Sequence, residues 1–312
     1  MANGARKVAV VGAGNVGATC AFVLAERKIG EVVLLDIYEG FAKGKALDMS
    51  QGGRVLNYDG HVTGTSDYAD IAESDVVVVT SGFPRQPGMT REDLIGKNAE
   101  IVSQVGEGIK KQAPNSVVVM VTNPLDLMTY HMQKVTGFEH NRVVGQAGIL
   151  DSARMTHFIA QSVGCSNEDV QAMVLGGHGD TMVPLPRYTT VNGIPVSQLL
   201  SDEEVEAICQ RTASGGGEIV KLLEKGSAFY APGSAAAIMA EAILEDRKRV
   251  LPCSTYLSGE YGMDDIYIGV PVVLGKDGVE RVIELELDEK ELDSLQGSGS
   301  FYKEQLSEIL GY

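Results

Sequence analysis

Through the first half of the 312-residue chain, short continuous apolar runs alternate with segments of helical period. The runs fall at residues 8–11, 32–35, 76–80, 117–121 and 142–145. Strands apolar on both faces need cover on both sides, which a parallel sheet flanked by helices supplies. Between the runs, residues 15–26 and 94–112 carry helical spacing, and the second sets Leu94, Ile101, Val105 and Ile109 on one stripe. The alternation predicts a doubly wound α/β domain over residues 1–147.

From residue 148 onward the rhythm changes. Residues 151–163 read as a helix, 170–175 and 189–191 as strands, and Gly193-Ile194-Pro195 as a turn. Ser201-Asp202-Glu203-Glu204 has the spacing of a capping box and opens a long helix. A second long helix is expected from about 233 to 249, then a hairpin of residues 269–274 and 279–287 around Gly275-Lys276-Asp277-Gly278. The last helix starts at Glu289, and Gly297-Ser298-Gly299-Ser300 predicts a bend or fraying within it. Residues 148–312 thus form a mixed α+β second domain, joined without a flexible linker.

Forty-two acidic against 26 basic residues give a formal net charge of −16, which excludes the positive footprint that nucleic acid or an anionic membrane surface requires. No apolar stretch approaches the roughly 20 residues of a membrane span, and the first residues lack an apolar export core, so the chain reads as cytoplasmic. Cys20, Cys165, Cys209 and Cys253 lie far apart, without CxxC pairs or metal spacing, and read as buried thiols. No metal is expected. In so acidic a chain an anionic substrate must be met by local arginines, which makes loop arginines informative.

The first apolar run leads into Gly12-Ala13-Gly14-Asn15-Val16-Gly17, and a helix follows. In that setting the first glycine permits a tight turn, the second lets backbone approach a pyrophosphate, and the third lets helix and strand pack closely. The helix N-terminus adds free N–H groups and partial positive charge. Asp36 ends the second run nineteen residues past Gly17, where an acid binds the ribose 2′-hydroxyl of NAD and repels the 2′-phosphate of NADP. The pattern predicts a Rossmann domain that binds NAD.

Histidine in Gly176-Gly177-His178-Gly179-Asp180 is a candidate acid/base, although the segment alone also reads as a glycine-rich surface turn. Asp151 and Arg154 share one helix face, where the carboxylate can orient His178 and the guanidinium grip a substrate carboxylate. Taken singly they are equally a helix cap and a solvated arginine. Residues 83–91, with Arg85 and Arg91, leave the carboxyl end of the third run as a proline- and glycine-rich loop suited to a lid, or to a basic surface loop. Asn98 sits on an apolar helical stripe and needs a partner, either protein or cofactor. Asn123, before Pro124, stands at the same edge of the sheet.

Together these pieces, in this order, resemble the lactate/malate dehydrogenase family: GAGNVG, Asp36, PRQPGMTR, Thr122-Asn123-Pro124, Leu150-Asp151-Ser152-Ala153-Arg154 and the His178 segment. The resemblance implies that His178 accepts the proton as an alcohol is oxidised, with Asp151 orienting it and stabilising its imidazolium. It implies that Arg154 binds the substrate C1 carboxylate, that Arg91 polarises the carbonyl, and that Asn123 binds substrate and nicotinamide ribose. Val121, Thr122 and Asn98 would line the cofactor. It also implies a cis Asn123–Pro124 bond and a homodimer or homotetramer. At the loop position six before Arg91, lactate enzymes of the family carry glutamine where this chain has Arg85. A buried lid arginine without a counter-charge is costly, whereas the distal carboxylate of malate or oxaloacetate neutralises it. Ala228, where lactate enzymes tend to carry threonine, leaves room for a larger substrate. The expected substrate pair is malate and oxaloacetate, with lactate or another 2-hydroxy acid as the alternative, or a non-catalytic NAD-binding protein.

Overall fold

In the computed structural model, which describes residues 6–59, 61–83, 90–179 and 181–312, the apolar runs lie side by side in one sheet. β1 (Lys7–Val11) pairs in parallel with β2 (Glu31–Leu35) and with β4 (Val76–Val79). β2 pairs onward with β3 (Val62–Thr65), and β4 with β5 (Val117–Met120) and then β6 (Val143–Gly145), all in parallel. The strand order β3-β2-β1-β4-β5-β6 reverses direction between β1 and β4. At such a reversal the following loops part to opposite faces and leave a crevice at the carboxyl ends of the strands. Every residue of β4 and β5 is buried, as helices on both faces require.

Helix α1 (Asn15–Glu26) occupies the expected span, and α3 (Arg91–Gln112) starts three residues before Leu94, at a Thr90–Asp93 capping box. Two helices of this half carry no readable stripe, for opposite reasons. α2 (Glu39–Leu56) buries only Ala42, Ala46, Met49 and Gly53, whereas α4 (Leu125–Thr136) is buried all round from Leu125 to Met132 and has no polar face to set a period. β3 is an edge strand that buries only Val62 and Thr65.

Beyond β6 the same sheet continues with antiparallel strands. β12 (Arg249–Ser258) joins β6 to β13 (Asp264–Gly275), which pairs with β8 (Val174–Gly176) and β14 (Gly278–Val282), and β8 pairs with β9 (Met182–Pro184). The expected strand 170–175 is two strands, because the chain crosses between sheets at Ala172 and Met173. β7 (Val170–Gln171) belongs to a small sheet with β10 (Thr190–Val191) and β11 (Ile194–Pro195). α5 (Gly148–Val163) and α6 (Asp202–Leu223) follow expectation, the latter with a reciprocal Ser201–Glu204 capping box. α7 (Tyr230–Leu244) stops short of 249: residues 245–248 are all charged and offer no apolar position to hold another turn, and Arg249 already opens β12. The hairpin's second strand ends at Val282 rather than 287.

α8 (Glu289–Gln305) departs from expectation in being uninterrupted. Gly299 serves packing: a Cβ there would lie 2.5 Å from Met263 Sδ, and Ser298 and Gly299 are both buried. Tertiary contact thus outweighs the poor helix propensity of glycine. The four cysteines are free, but only Cys20 and Cys253 are buried; Cys165 and Cys209 are half-buried. Among the described residues no helix is long and apolar enough to cross a membrane.

The two α8 glycines should respond differently to alanine. Gly297 faces open space, so Gly297→Ala is expected to stabilise the fold by roughly 0.5–1 kcal/mol in urea denaturation. Gly299→Ala is expected to show no gain, because the new methyl meets Met263.

Candidate active site

The turn after β1 shows three glycines with three different surroundings. Gly12 has φ +105°, and a Cβ there would stand 2.7 Å from Thr80 Oγ1 and 2.8 Å from Ser81 N. A Cβ on Gly17 would be 1.8 Å from the Gly12 carbonyl oxygen, so only glycine lets α1 close on the turn. A Cβ on Gly14 would meet nothing within 4 Å: it opens toward the crevice. Gly14 caps α1 with no side-chain hydrogen bond, which leaves the first N–H groups of α1, from Asn15, Val16 and Gly17, to an anion. A pyrophosphate fits such a cradle.

Asp36 stands beside it, as its sequence spacing requires. Its Oδ2 accepts from Ala13 N at 2.7 Å and its Oδ1 from Tyr38 N at 3.0 Å. Lys45 of α2, not anticipated from sequence, donates to the Ala13 carbonyl at 2.9 Å; burial lowers its pKa, with Asp36 acting in the opposite sense. Thr80 Oγ1 donates to the Gly12 carbonyl at 3.0 Å, tying the end of β4 to the turn.

Across the crevice, Thr122 is buried and donates to the Ser81 carbonyl at 2.6 Å, while Val121 is half-buried. Asn98 is buried and engaged by protein. It accepts from Phe83 N at 2.6 Å and donates to the carbonyls of Phe83 and Asn123 at 3.3 and 2.7 Å. Its amide therefore latches the loops after β4 and β5 together. The Asn123–Pro124 peptide is cis, and Asn123 is exposed at this rim. Arg85 lies outside the described residues, as do Asp180 and the side chain of Arg91.

The other wall comes from α5 and the turn after β8. Asp151, 1% exposed, bridges two groups: its Oδ2 accepts from His178 Nδ1 at 2.8 Å and its Oδ1 from Arg154 Nη1 at 2.8 Å. With Nδ1 bound to a carboxylate, Nε2 is the free acid/base atom. Burial pulls the His178 pKa down, but the Asp151 charge and hydrogen bond outweigh it; Arg154 opposes and Asp126 adds, so the imidazole stands above the ordinary value. Arg154 runs along α6 where Gly215 and Gly216 leave room, its Cδ 3.3 Å from where a Gly215 Cβ would sit. Three successive glycines within a helix were the sequence signal for this cradle.

Two further side chains hold the His178 turn, and neither was anticipated. Asp126 of α4 is buried; it accepts from His178 N at 2.9 Å and from Ser254 Oγ of β12 at 2.7 Å. Burial pushes its carboxyl up to about 6 against those two hydrogen bonds. It therefore costs the fold nothing below its ordinary value of 3.8, where folded and unfolded chains are both protonated, and the cost grows as the pH rises from there to reach about 3 kcal/mol above about 6. Ser298 of α8 accepts from Gly177 N at 2.9 Å and donates to Thr181 Oγ1 at 2.9 Å.

A dinucleotide cradle thus faces a histidine–carboxylate–arginine relay. Residues 6–145 match the profile of the lactate/malate dehydrogenase NAD binding domain, and residues 149–311 that of the lactate/malate dehydrogenase alpha/beta C-terminal domain. The chain belongs to the lactate/malate dehydrogenase family. The half that carries the glycine turn and Asp36 is this family's NAD binding domain. A malate dehydrogenase of Methanosarcina barkeri is 52% identical over 303 residues, 97% of this chain and 99% of the relative. The solved malate dehydrogenase of Salinibacter ruber superposes with a TM-score of 0.94 at 51% identity, covering 97% of each chain. The lactate dehydrogenase of Cryptosporidium parvum, solved with lactic acid and NAD, superposes with a TM-score of 0.94 at 43% identity over 98% of each chain.

The surroundings of the glycines separate folding from cofactor binding. Gly17→Ala is expected to lose about 2 kcal/mol or more of stability in urea denaturation, since backbone must move. Gly14→Ala is expected to stay within about 0.5 kcal/mol of the unmodified protein and to weaken NADH binding about tenfold in a fluorescence titration, its methyl entering the phosphate's space.

Proposed function

We propose that the protein is an NAD-dependent malate dehydrogenase that interconverts malate and oxaloacetate, a step of the tricarboxylic acid cycle. The observation that carries the reading is Asp151 holding His178 on one oxygen and Arg154 on the other, at the mouth of the dinucleotide cradle. Gly12, Ala13, Gly14, Asn15, Val16 and Gly17 would hold the pyrophosphate, Asp36 the adenosine ribose, and Val121, Thr122 and Asn123 the nicotinamide end, with Asn98 acting through its hold on the Asn123 carbonyl. NAD held there would supply the acceptor for the C2 hydride of malate. His178 Nε2 takes the hydroxyl proton, so that the C2–O bond becomes a carbonyl, and Asp151 stabilises the imidazolium that results. Arg154 binds the C1 carboxylate and Asn123 the reacting oxygen, which Arg91 polarises.

Arg85 selects the substrate by pairing with the distal carboxylate. The fold itself does not separate malate from lactate enzymes, since solved relatives of both kinds superpose equally well. We place the boundary between cofactor and substrate units at residues 147 and 148. Self-association as a homodimer or homotetramer is supported by Leu47, Val55 and Leu56, exposed apolar residues on α2, and the free cysteines suit the cytoplasm.

NADH oxidation is expected to be at least about a hundredfold faster with oxaloacetate than with pyruvate, and Arg85→Gln to narrow or invert the ratio. Equal rates with both acids in the unmodified protein would remove the role given to Arg85. His178→Asn is expected to abolish turnover while NADH still binds. Loss of NADH binding in that variant would mark the histidine as structural instead.

A further inference from the structure

We propose that Asp126 is a positioning residue for His178, a second buried carboxylate whose charge and hydrogen bond to the histidine backbone set where the imidazole stands and how firmly it keeps its proton. The proposal rests on reading His178 as the proton acceptor. Its basis is a juxtaposition of three elements. Asp126, in the first turn of α4, sends one carboxylate oxygen to His178 N at 2.9 Å and the other to Ser254 Oγ of β12 at 2.7 Å. Ser298 of α8 takes the preceding N–H, that of Gly177, at 2.9 Å. The space is tight: a Cβ on Gly177 would stand 1.9 Å from Tyr302 Cε2. Consecutive N–H groups of the histidine turn are thus held by side chains from two helices, and only one of those side chains carries charge.

The charge needs its own reason, because two hydroxyls or an amide would satisfy the same donors at lower cost. A buried carboxylate with two neutral donors is poorly compensated for its lost water. Among the described residues, the charged groups facing this region are Asp126 from α4, Asp151 and Arg154 from α5 and His178 itself; Ser254 and Ser298 add hydroxyls without charge. With His178 protonated these four described charges balance, two against two. With Asp126 neutral, Asp151 alone would face both cations, and the imidazolium would release its proton more easily. Asp126 raises the His178 pKa, in the same sense as Asp151 and against Arg154.

Asp126→Asn isolates the charge. The amide oxygen can still accept from His178 N, and the amide nitrogen can donate to Ser254 Oγ once that hydroxyl turns. The His178 imidazole of this variant, followed by NMR without substrate, is expected to titrate at lower pH than in the unmodified protein. The alkaline limb of oxaloacetate reduction, which needs the protonated imidazole, is expected to move the same way, with a loss of roughly threefold in kcat/KM at alkaline pH and unchanged NADH affinity. The thermal unfolding midpoint is expected to rise at pH near 8, with the gain about halved near pH 5 and gone below about pH 4, because the unfolded chain ionises Asp126 from its ordinary value near 3.8 upward while the fold keeps it protonated to about 6. A residue kept only for structure would show the reverse: lower stability at both pH values and an unmoved imidazole titration, which would overturn the proposal. Should Asp126→Asn fail to fold, Ser254→Ala decides. It removes one hydrogen bond that keeps Asp126 ionised, and a smaller downward shift of the His178 titration is expected; no shift would overturn the proposal. Absence of turnover with oxaloacetate in the unmodified protein would count against the malate reading, while the NMR titration would still test Asp126.

Discussion

One carboxylate, Asp151, holds both basic side chains of the second wall, and the usefulness of everything around it depends on that geometry. Buried ions are retained at a cost unless each is paired and hydrogen-bonded. Asp151 meets the requirement on both oxygens, at 2.8 Å to Arg154 and 2.8 Å to His178. The two basic groups are thereby fixed relative to each other as well as to the fold. Arg154 lies three residues on along the same helix, a separation that α-helical geometry keeps constant. His178 arrives on the turn after β8, outside the helix that carries Asp151 and Arg154, and its backbone has the additional hold of α4 and α8.

The opposite wall is built on a different constraint, the close approach of backbone. Gly12 and Gly17 have no room for a side chain, and the Asn98 amide joins the loops after β4 and β5 through three hydrogen bonds. That rim belongs to the point where strand order reverses, so its position follows from topology. The sheet then carries the position across the molecule. β6 pairs with β12 and β12 with β13, which in turn pairs with β8, the strand that ends at the His178 turn. The two walls thus share one hydrogen-bonded framework.

What could be read from sequence divides along the same physical lines. The parallel strands were legible because burial on both faces leaves valine runs, and the glycine turn because its positions are required by backbone geometry. α4 was not legible: a helix buried on every side has no amphipathic period, and Asp126 at its start reads as an ordinary acid complementing the helix dipole. Only the tertiary fold turns that carboxylate toward His178. Ser298 was obscured by the glycines around it, which signal a break in any helix judged by propensity alone. The Asp151–Arg154 pair was legible as a pair, since helical spacing determines it, but its contact with His178 joins residues 27 apart and was one of two open readings until the resemblance to the family favoured it.

On the proposed reading, a division of labour between the residues that align the reacting atoms and the one that selects the substrate follows from the chemistry of the two possible substrates. Lactate and malate share the C1 carboxylate and the C2 hydroxyl, so residues that meet those groups, Arg154 and His178 on the proposed reading, serve either acid equally. Solved relatives of both kinds superpose on this chain with a TM-score of 0.94, as a common frame requires. The acids differ only at the distal end, where one has a methyl group and the other a carboxylate. Discrimination there needs a cation that is stable when paired and costly when not, which a guanidinium removed from water is. On the proposed reading Arg85 is such a group, and it lies far in sequence from Asp151, Arg154 and His178. Changing that one residue is therefore expected to redirect substrate choice while Asp151 keeps the side chains it holds.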